Sequence, residues 1–112
     1  MPDQPTVSNA FMSFRANAPQ HQQAWMEMVQ KLGAACRLDE KTRILAYIAV
    51  LSALNMESGI PFHVQQARQA GISREEVISA VLLGLPAAGH RVTQCLPAAL
   101  QAFDTTPGTG TD

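Results

Sequence analysis

Two stretches of this 112-residue chain are apolar on every side of a helix, and they limit what it can fold into. One covers about residues 40–55 and the other covers residues 73–85. No run of alternating β-branched residues predicts a strand. A helix that is apolar all round must be covered all round. The sequence therefore predicts an all-α fold in which other helices cover both stretches.

Capping residues predict where several helices begin. Ser8 can cap a short first helix, and Asp39 can cap the first of the all-apolar helices. Pro19 suits the first turn of a second helix, because its missing N–H is not needed there. Ser73 begins a capping-box pattern, in which the serine accepts from the N–H of Glu76 and the glutamate reaches back.

Glycine and proline predict where the later helices end. A fourth helix opens near residues 58–61 and ends at Gly71, a residue that suits a left-handed C-cap. Residues 86–89 break or kink the helix that begins at Ser73. A last helix follows, with Pro97 as a kink or a late start. About six helices are therefore expected.

The chain is expected to form one domain, since 112 residues allow a single modest core. That helical domain is predicted over residues 8–103, after a flexible N-terminal arm at residues 1–7. Residues 104–112 are a polar run rich in Pro, Gly and Thr, which cannot bury enough surface to order itself. A disordered C-terminal tail is predicted there.

The balance of apolar and charged residues favours an assembly of several copies. Apolar residues make up 46% of the chain and charged residues only 15%, whereas about a quarter is typical of soluble proteins. The short amphipathic helices can hardly cover both all-apolar helices. A homo-oligomer would bury the spare faces, and a monomer with an exposed apolar patch is the alternative.

Charge, cysteines and hydropathy exclude several kinds of function. The net charge is −1 and the basic residues are scattered, so neither nucleic acid nor a membrane surface is an expected partner. The polar start resembles no signal peptide, and the longest apolar run is too short to span a bilayer. Cys36, Cys95 and the three histidines form no metal or redox set. A cytoplasmic protein without a cofactor or metal is predicted.

His63 is the main candidate for chemistry. It lies on the apolar side of the fourth helix, with Ile60 and Ala67 on the same stripe. It is either a general acid/base in a pocket or a histidine satisfied by a backbone carbonyl or a glutamine in the core. Glu57 can pair with it or simply favour the helix dipole. Burial alone would lower the pKa of His63, and a carboxylate partner would raise it.

His90 and Arg91 are candidates for binding a substrate. They follow Gly89 at the predicted start of the last helix. Either they are solvated, or they line a cleft between subunits, where a helix N-terminus accepts an anion.

Two segments carry the pattern of a known family. The first is Leu38-Asp39-Glu40-Lys41-Thr42-Arg43, which leads into an apolar helix. The second is His63-Val64-x-x-Ala67-x-x-Ala70-Gly71-Ile72-Ser73-x-Glu75-Glu76-Val77. Together they resemble the carboxymuconolactone decarboxylase and alkylhydroperoxidase D (AhpD-like) family over roughly residues 38–100. The resemblance implies an AhpD-like helical bundle that assembles as trimers or hexamers.

The resemblance also implies which chemistry is missing. The peroxidase branch of the family carries Cys-x-x-Cys-x-x-x-His and an earlier glutamate. Its histidine falls on His63, its two cysteines on Met56 and Gly59, and its glutamate near Ile44. Thiolate attack needs sulfur, so the sequence argues against thiol peroxidase activity. The decarboxylase branch lacks the cysteines and is more similar to this chain. Its acidic residues, however, precede the histidine at a different spacing from that between Glu57 and His63.

The leading hypothesis is a family member without redox cysteines. His63 and Glu57 would perform acid/base chemistry, as a lyase or an isomerase, on a small carboxylated or lactone-like molecule. Arg68, Arg74 or Arg91 of a neighbouring subunit would supply positive charge for such a substrate. The alternative is a non-catalytic oligomeric module that uses the same scaffold for ligand binding or assembly.

Overall fold

The computed structural model describes residues 8–105 and is α-helical over that range. Its α-helices are α1 (Asn9–Asn17), α2 (Pro19–Ala35), α3 (Glu40–Ala53), α4 (Ile60–Gln69), α5 (Arg74–Leu82), α6 (Leu85–Ala88) and α7 (Leu96–Asp104). Two 3₁₀ segments, Glu57–Gly59 and Gly89–Cys95, precede α4 and α7. No strand occurs within residues 8–105, so the predicted all-α class is confirmed there.

Several helices begin at the side chains that the sequence indicates. Ser8 Oγ accepts a hydrogen bond from a first-turn N–H of α1 at 3.1 Å, and Asp39 Oδ1 accepts one in α3 at 2.7 Å. Ser73 and Glu76 form the reciprocal capping box of α5, with hydrogen bonds of 3.1 and 2.9 Å. Pro19 lies in the first turn of α2. These caps satisfy N–H groups that have no partner within the helix.

The core lies between α3, α4, α5 and α7. α3 packs against α4 and α5, and α7 packs against the other side of the same pair. The largest fully buried aliphatic side chains are Ile48 of α3, Ile60 and Val64 of α4, Val77 and Val81 of α5, and Val92 of the 3₁₀ segment before α7. Both helices that are apolar all round therefore take part in the core. Burying an aliphatic side chain of this size contributes about 1.5–3 kcal/mol before conformational entropy is counted.

The hairpin of α1 and α2 stands apart from this core. Neither of these two described helices contains a buried residue. They contact chiefly each other, through the ring of Trp25, whose centroid lies 5.4 Å from Phe11 and 6.4 Å from Phe14. The radius of gyration is 14.7 Å, larger than the roughly 13 Å of a compact domain of about 100 residues. A projecting hairpin accounts for the difference.

Large apolar side chains remain exposed in the single chain. On α2 these are Met28 and Leu32, the second of them 62% exposed. On α3 they are Tyr47 and Val50, and Leu54 at the C-cap continues the same face; the three are 47–60% exposed. The helices of one chain thus cover the all-apolar α3 on one side only.

In the second half of the chain, the helices end and begin at other residues than the sequence predicts. The helix predicted to run to residue 85 ends at Leu82, and Pro86 lies in the first turn of the short α6. Gly89 has a φ of 76° and ends α6 in a conformation that glycine adopts readily. The chain then forms a 3₁₀ segment, and α7 begins only at Leu96, with Pro97 in its first turn. Of the two alternatives for Pro97, the late start is the correct one.

The last helix also extends one residue beyond residue 103, where the helical domain was predicted to end. Asp104 is the last residue of α7, and its carboxylate binds the guanidinium of Arg74 at 2.9 and 3.1 Å. The arm predicted at residues 1–7 and the tail from residue 106 onward lie outside the described residues. Within residues 8–105, no helix combines the length and the apolar content needed to cross a membrane.

Candidate active site

His63 lies at the edge of the core, between two aromatic rings. Ile60, Val64 and Ala67 of the same helix are fully buried, and they fix the rotation of α4 so that the imidazole is half-buried beside them. Its ring centroid lies 4.6 Å from that of Tyr47 on α3 and 5.1 Å from that of Phe62. Both rings are about half exposed, so this face of His63 is open to the surroundings of the chain.

One hydrogen bond assigns the tautomer of His63. Its Nδ1 lies 3.4 Å from Oε1 of Gln66, which is three residues later on the same helix face. Because an amide oxygen only accepts, this contact is a hydrogen bond in the tautomer that carries its proton on Nδ1. Nε2 is then the atom with a free lone pair, which can take a proton from a ligand.

Burial keeps the imidazole neutral. It lowers the pKa of His63 below its ordinary value of 6.5, and the hydrogen bond to Gln66 offsets only part of this effect. This direction is the one expected for a histidine without a carboxylate partner. At neutral pH the group is therefore an unprotonated base.

Glu57 does not join His63 within the chain. It is exposed on the 3₁₀ segment before α4, and no ion pair between the two occurs among residues 8–105. Its carboxylate instead lies near Cys95, where burial raises the pKa of the thiol and the charge of Glu57 raises it further. Cys95 Sγ is 4.0 Å from Oδ1 of Asn55. The acid/base pair inferred from the sequence is not assembled by one copy.

The positions of the missing redox residues lie next to this site. Met56 is half exposed, and Gly59 packs against the side chain of Leu51. Ile44, near which the glutamate of the peroxidase branch falls, is 3% exposed and belongs to the core. The scaffold at the junction of α3 and α4 therefore carries thioether and aliphatic groups where the peroxidase branch carries thiols and an acid.

The structure places His90 and Arg91 on a 3₁₀ segment rather than at the start of an α-helix. Both side chains are exposed, and the helix that follows them begins at Leu96. The prediction that they lie at a helix N-terminus is therefore wrong. That N-terminus was the physical reason to expect an anion beside them. No hydrogen bond links either side chain to His63 among the described residues. Their part in substrate binding stays a prediction.

Two arginines considered for substrate binding hold the end of α7 instead. Arg74 binds the carboxylate of Asp104. Arg68 donates to the carbonyl of Thr105 at 2.9 Å, and its guanidinium lies 5.7 Å from the ring centroid of Phe103. Positive groups near the last carbonyls stabilise a helix C-terminus.

A shallow apolar groove lies on another side of α3, towards α5. It has a volume of about 430 Å³. Its lining residues are Thr42, Leu45, Ala46, Glu75, Glu76, Ser79, Ala80 and Leu83. None of them is among the residues that form the hydrogen bond or the ring contacts of His63.

Sequence reasoning missed Tyr47, and it offered a glutamine as a partner of His63 without naming Gln66. Gln66 could have been found from its spacing, because residues three apart share a helix face. Tyr47 could not, since its contact with His63 depends on how α3 and α4 align.

The comparison with known proteins agrees with this architecture. The model of the carboxymuconolactone decarboxylase family matches residues 19–103. The chain therefore belongs to the carboxymuconolactone decarboxylase family, as its resemblance implied. It is a member without the Cys-x-x-Cys pair, since Cys36 and Cys95 are the only cysteines of the chain. Comparison with curated proteins and with solved structures gave no match.

Proposed function

We propose that this protein is a decarboxylase-like lyase or isomerase, and that His63 is its general acid/base. The substrate would be a small carboxylated or lactone-like molecule. One observation carries the proposal: His63 lies half-buried on an open face between two aromatic rings, where burial lowers its pKa and favours the neutral imidazole. Family membership supports the class of reaction.

The proposed chemistry needs one group that both takes and returns a proton. Nε2 would remove a proton from carbon beside a carbonyl, and the imidazolium would return it to another carbon of the same molecule. In a decarboxylation, Nε2 would first take a proton from water; the bond to the carboxylate carbon would then break, carbon dioxide would leave, and the electron pair left on the substrate carbon would take the proton from the imidazolium. A base with a pKa at or below neutral pH is already unprotonated when the substrate binds.

Glu57 has a conditional role in this proposal. Within one copy its carboxylate lies towards Cys95. It would support the reaction only if assembly brings a Glu57 or another carboxylate of a second copy to His63. We propose such a homo-oligomer, a trimer or a hexamer, because apolar faces of α2 and α3 remain open in the single chain.

The test is turnover of 4-carboxymuconolactone, followed by ultraviolet absorbance and by release of carbon dioxide. His63→Gln should still fold and should lose roughly 100-fold or more of the rate, the scale of a missing acid/base. His21→Gln is the matched control, because His21 is exposed on α2 and should keep full activity. Equal rates for the wild type and His63→Gln would refute the role of His63.

A second candidate is the non-catalytic module. It is favoured by the lack of any carboxylate beside His63 among the described residues. In that case His63→Gln should cost about 1–3 kcal/mol of stability through its unsatisfied partner. Ligand binding by the folded fraction would then be unchanged.

A further inference from the structure

We propose that Arg43 and Tyr47 form the anion-binding side of the His63 site, and that they hold a carboxylate of the ligand. This inference rests on the proposed function, since it names what positions a substrate beside His63. It assigns the positive charge to α3 of the same chain rather than to a distant arginine.

The helix geometry places these groups together. Arg43 precedes Tyr47 by four residues on α3, so the two side chains share a face, with their Cβ atoms about 6 Å apart. Tyr47 in turn lies against His63 of α4, at a centroid distance of 4.6 Å. α3 and α4 are joined by a short connection and pack against each other. Positive charge, phenol and imidazole thus follow one another across a single surface.

Arg43 is the basic residue on this surface that has no internal partner. Arg68 and Arg74 are bound to the end of α7, and Lys41 pairs with Glu76 at 2.7 Å. Arg43 is exposed and makes no ion pair with any carboxylate within residues 8–105. This includes Glu40, which lies three residues earlier on α3. Its guanidinium is therefore available to a ligand.

The chemistry of these groups defines the ligand. A guanidinium binds a carboxylate through two parallel N–H···O hydrogen bonds, a geometry that lysine cannot reproduce. The Tyr47 hydroxyl can donate to a further oxygen, such as a lactone carbonyl. The exposed rings of Tyr47 and Phe62 offer apolar surface to a flat carbon skeleton. A small, flat carboxylate bound in this way would have its carbon atoms beside Nε2 of His63.

The test uses benzoate and its neutral isostere benzamide as probes of the full-length protein. NMR titration would follow the ring signals of His63 and Tyr47. We expect the wild type to bind benzoate at least tenfold more tightly than benzamide. Arg43→Gln should weaken benzoate by roughly 10- to 100-fold, the scale of a hydrogen bond to a charged group, and leave benzamide unchanged. Arg15→Gln, with the same charge change on α1, should behave as the wild type.

Two further variants keep the proposal open to refutation. Arg43→Lys keeps the charge and should still lose several-fold of the benzoate affinity, and Tyr47→Phe should lose part of it. Equal binding of the two probes by the wild type, or unchanged benzoate binding by Arg43→Gln, would overturn the proposal. His63→Gln separates this inference from the proposed function. It should keep the preference for benzoate even though turnover is lost, and if turnover persists, only the catalytic role fails.

Discussion

His63 couples the stability of this protein to pH, in a direction fixed by its burial. In the unfolded chain its pKa is about 6.5, and in the folded chain burial lowers it. As the pH falls below 6.5, the unfolded state therefore binds more protons than the folded state. The stabilising contribution is complete above that value and is lost as the pH falls towards the lowered folded pKa.

We therefore expect the free energy of unfolding of the wild type to fall between pH 7.5 and 5.5, and that of His63→Gln to fall less. Urea unfolding at the two values measures the difference. The acids with lowered pKa values, Asp39, Glu76 and Asp104, stay ionised in this range and do not contribute to it. The exposed His21→Gln should keep the wild-type dependence. A His63→Gln variant as pH-dependent as the wild type would contradict the burial argument.

Some features of the site could be predicted from the sequence alone, and individual residues show which ones. His63 and Gln66 could be related by spacing alone, because a helix brings residues three apart together. The lack of the Cys-x-x-Cys pair could be read from Met56 and Gly59 directly. Glu57 was expected either to pair with His63 or to favour the helix dipole, and it lies on a 3₁₀ segment from which its charge acts on Cys95. Such a turn depends on packing that a local pattern does not contain.

The sequence predicted the residues at which helices start better than the residues at which helices are interrupted. A capping side chain acts within three residues, so the starts of α3 and α5 follow from Asp39 and Ser73 alone. The 3₁₀ segment Gly89–Cys95 delays the start of α7, and two of its residues, Val92 and Cys95, are fully buried. Tertiary packing rather than a local signal determines the conformation of this segment.

The capping box of α5 gives a prediction for one helix. Ser73→Ala removes the acceptor for the Glu76 N–H, now 3.1 Å away, and leaves that N–H to water. We expect a loss of about 1 kcal/mol in the free energy of unfolding, measured with urea. Ser79→Ala is the matched control, because Ser79 is exposed in the middle of the same helix and its replacement should be neutral or slightly stabilising. Equal stabilities of the two variants would mean that the box does not hold the start of α5.

At the scale of the whole molecule, one chain leaves its apolar surface incompletely covered. The hairpin of α1 and α2 packs without a buried residue, although isolated helices of such lengths are marginal in water. The side of α2 that carries Met28 and Leu32 is available to a second copy, and so is the end of the exposed α3 face formed by Val50 and Leu54. The sequence predicted this uncovered apolar surface from its low share of charged residues and its two all-apolar helices. Which faces stay uncovered depends on how the helices pack.

The last prediction is that the protein is a trimer or a larger homo-oligomer, held together through these faces. Light scattering at micromolar concentration should give at least three times the chain mass of 12.1 kDa. Leu32→Glu places a charge on an apolar side chain of α2 that is 62% exposed, so it should dissociate the assembly while the helical content of each chain is kept. Gln30→Glu adds the same charge to the opposite face of α2 and should leave the assembly intact. A wild type that remains monomeric at this concentration would refute the prediction.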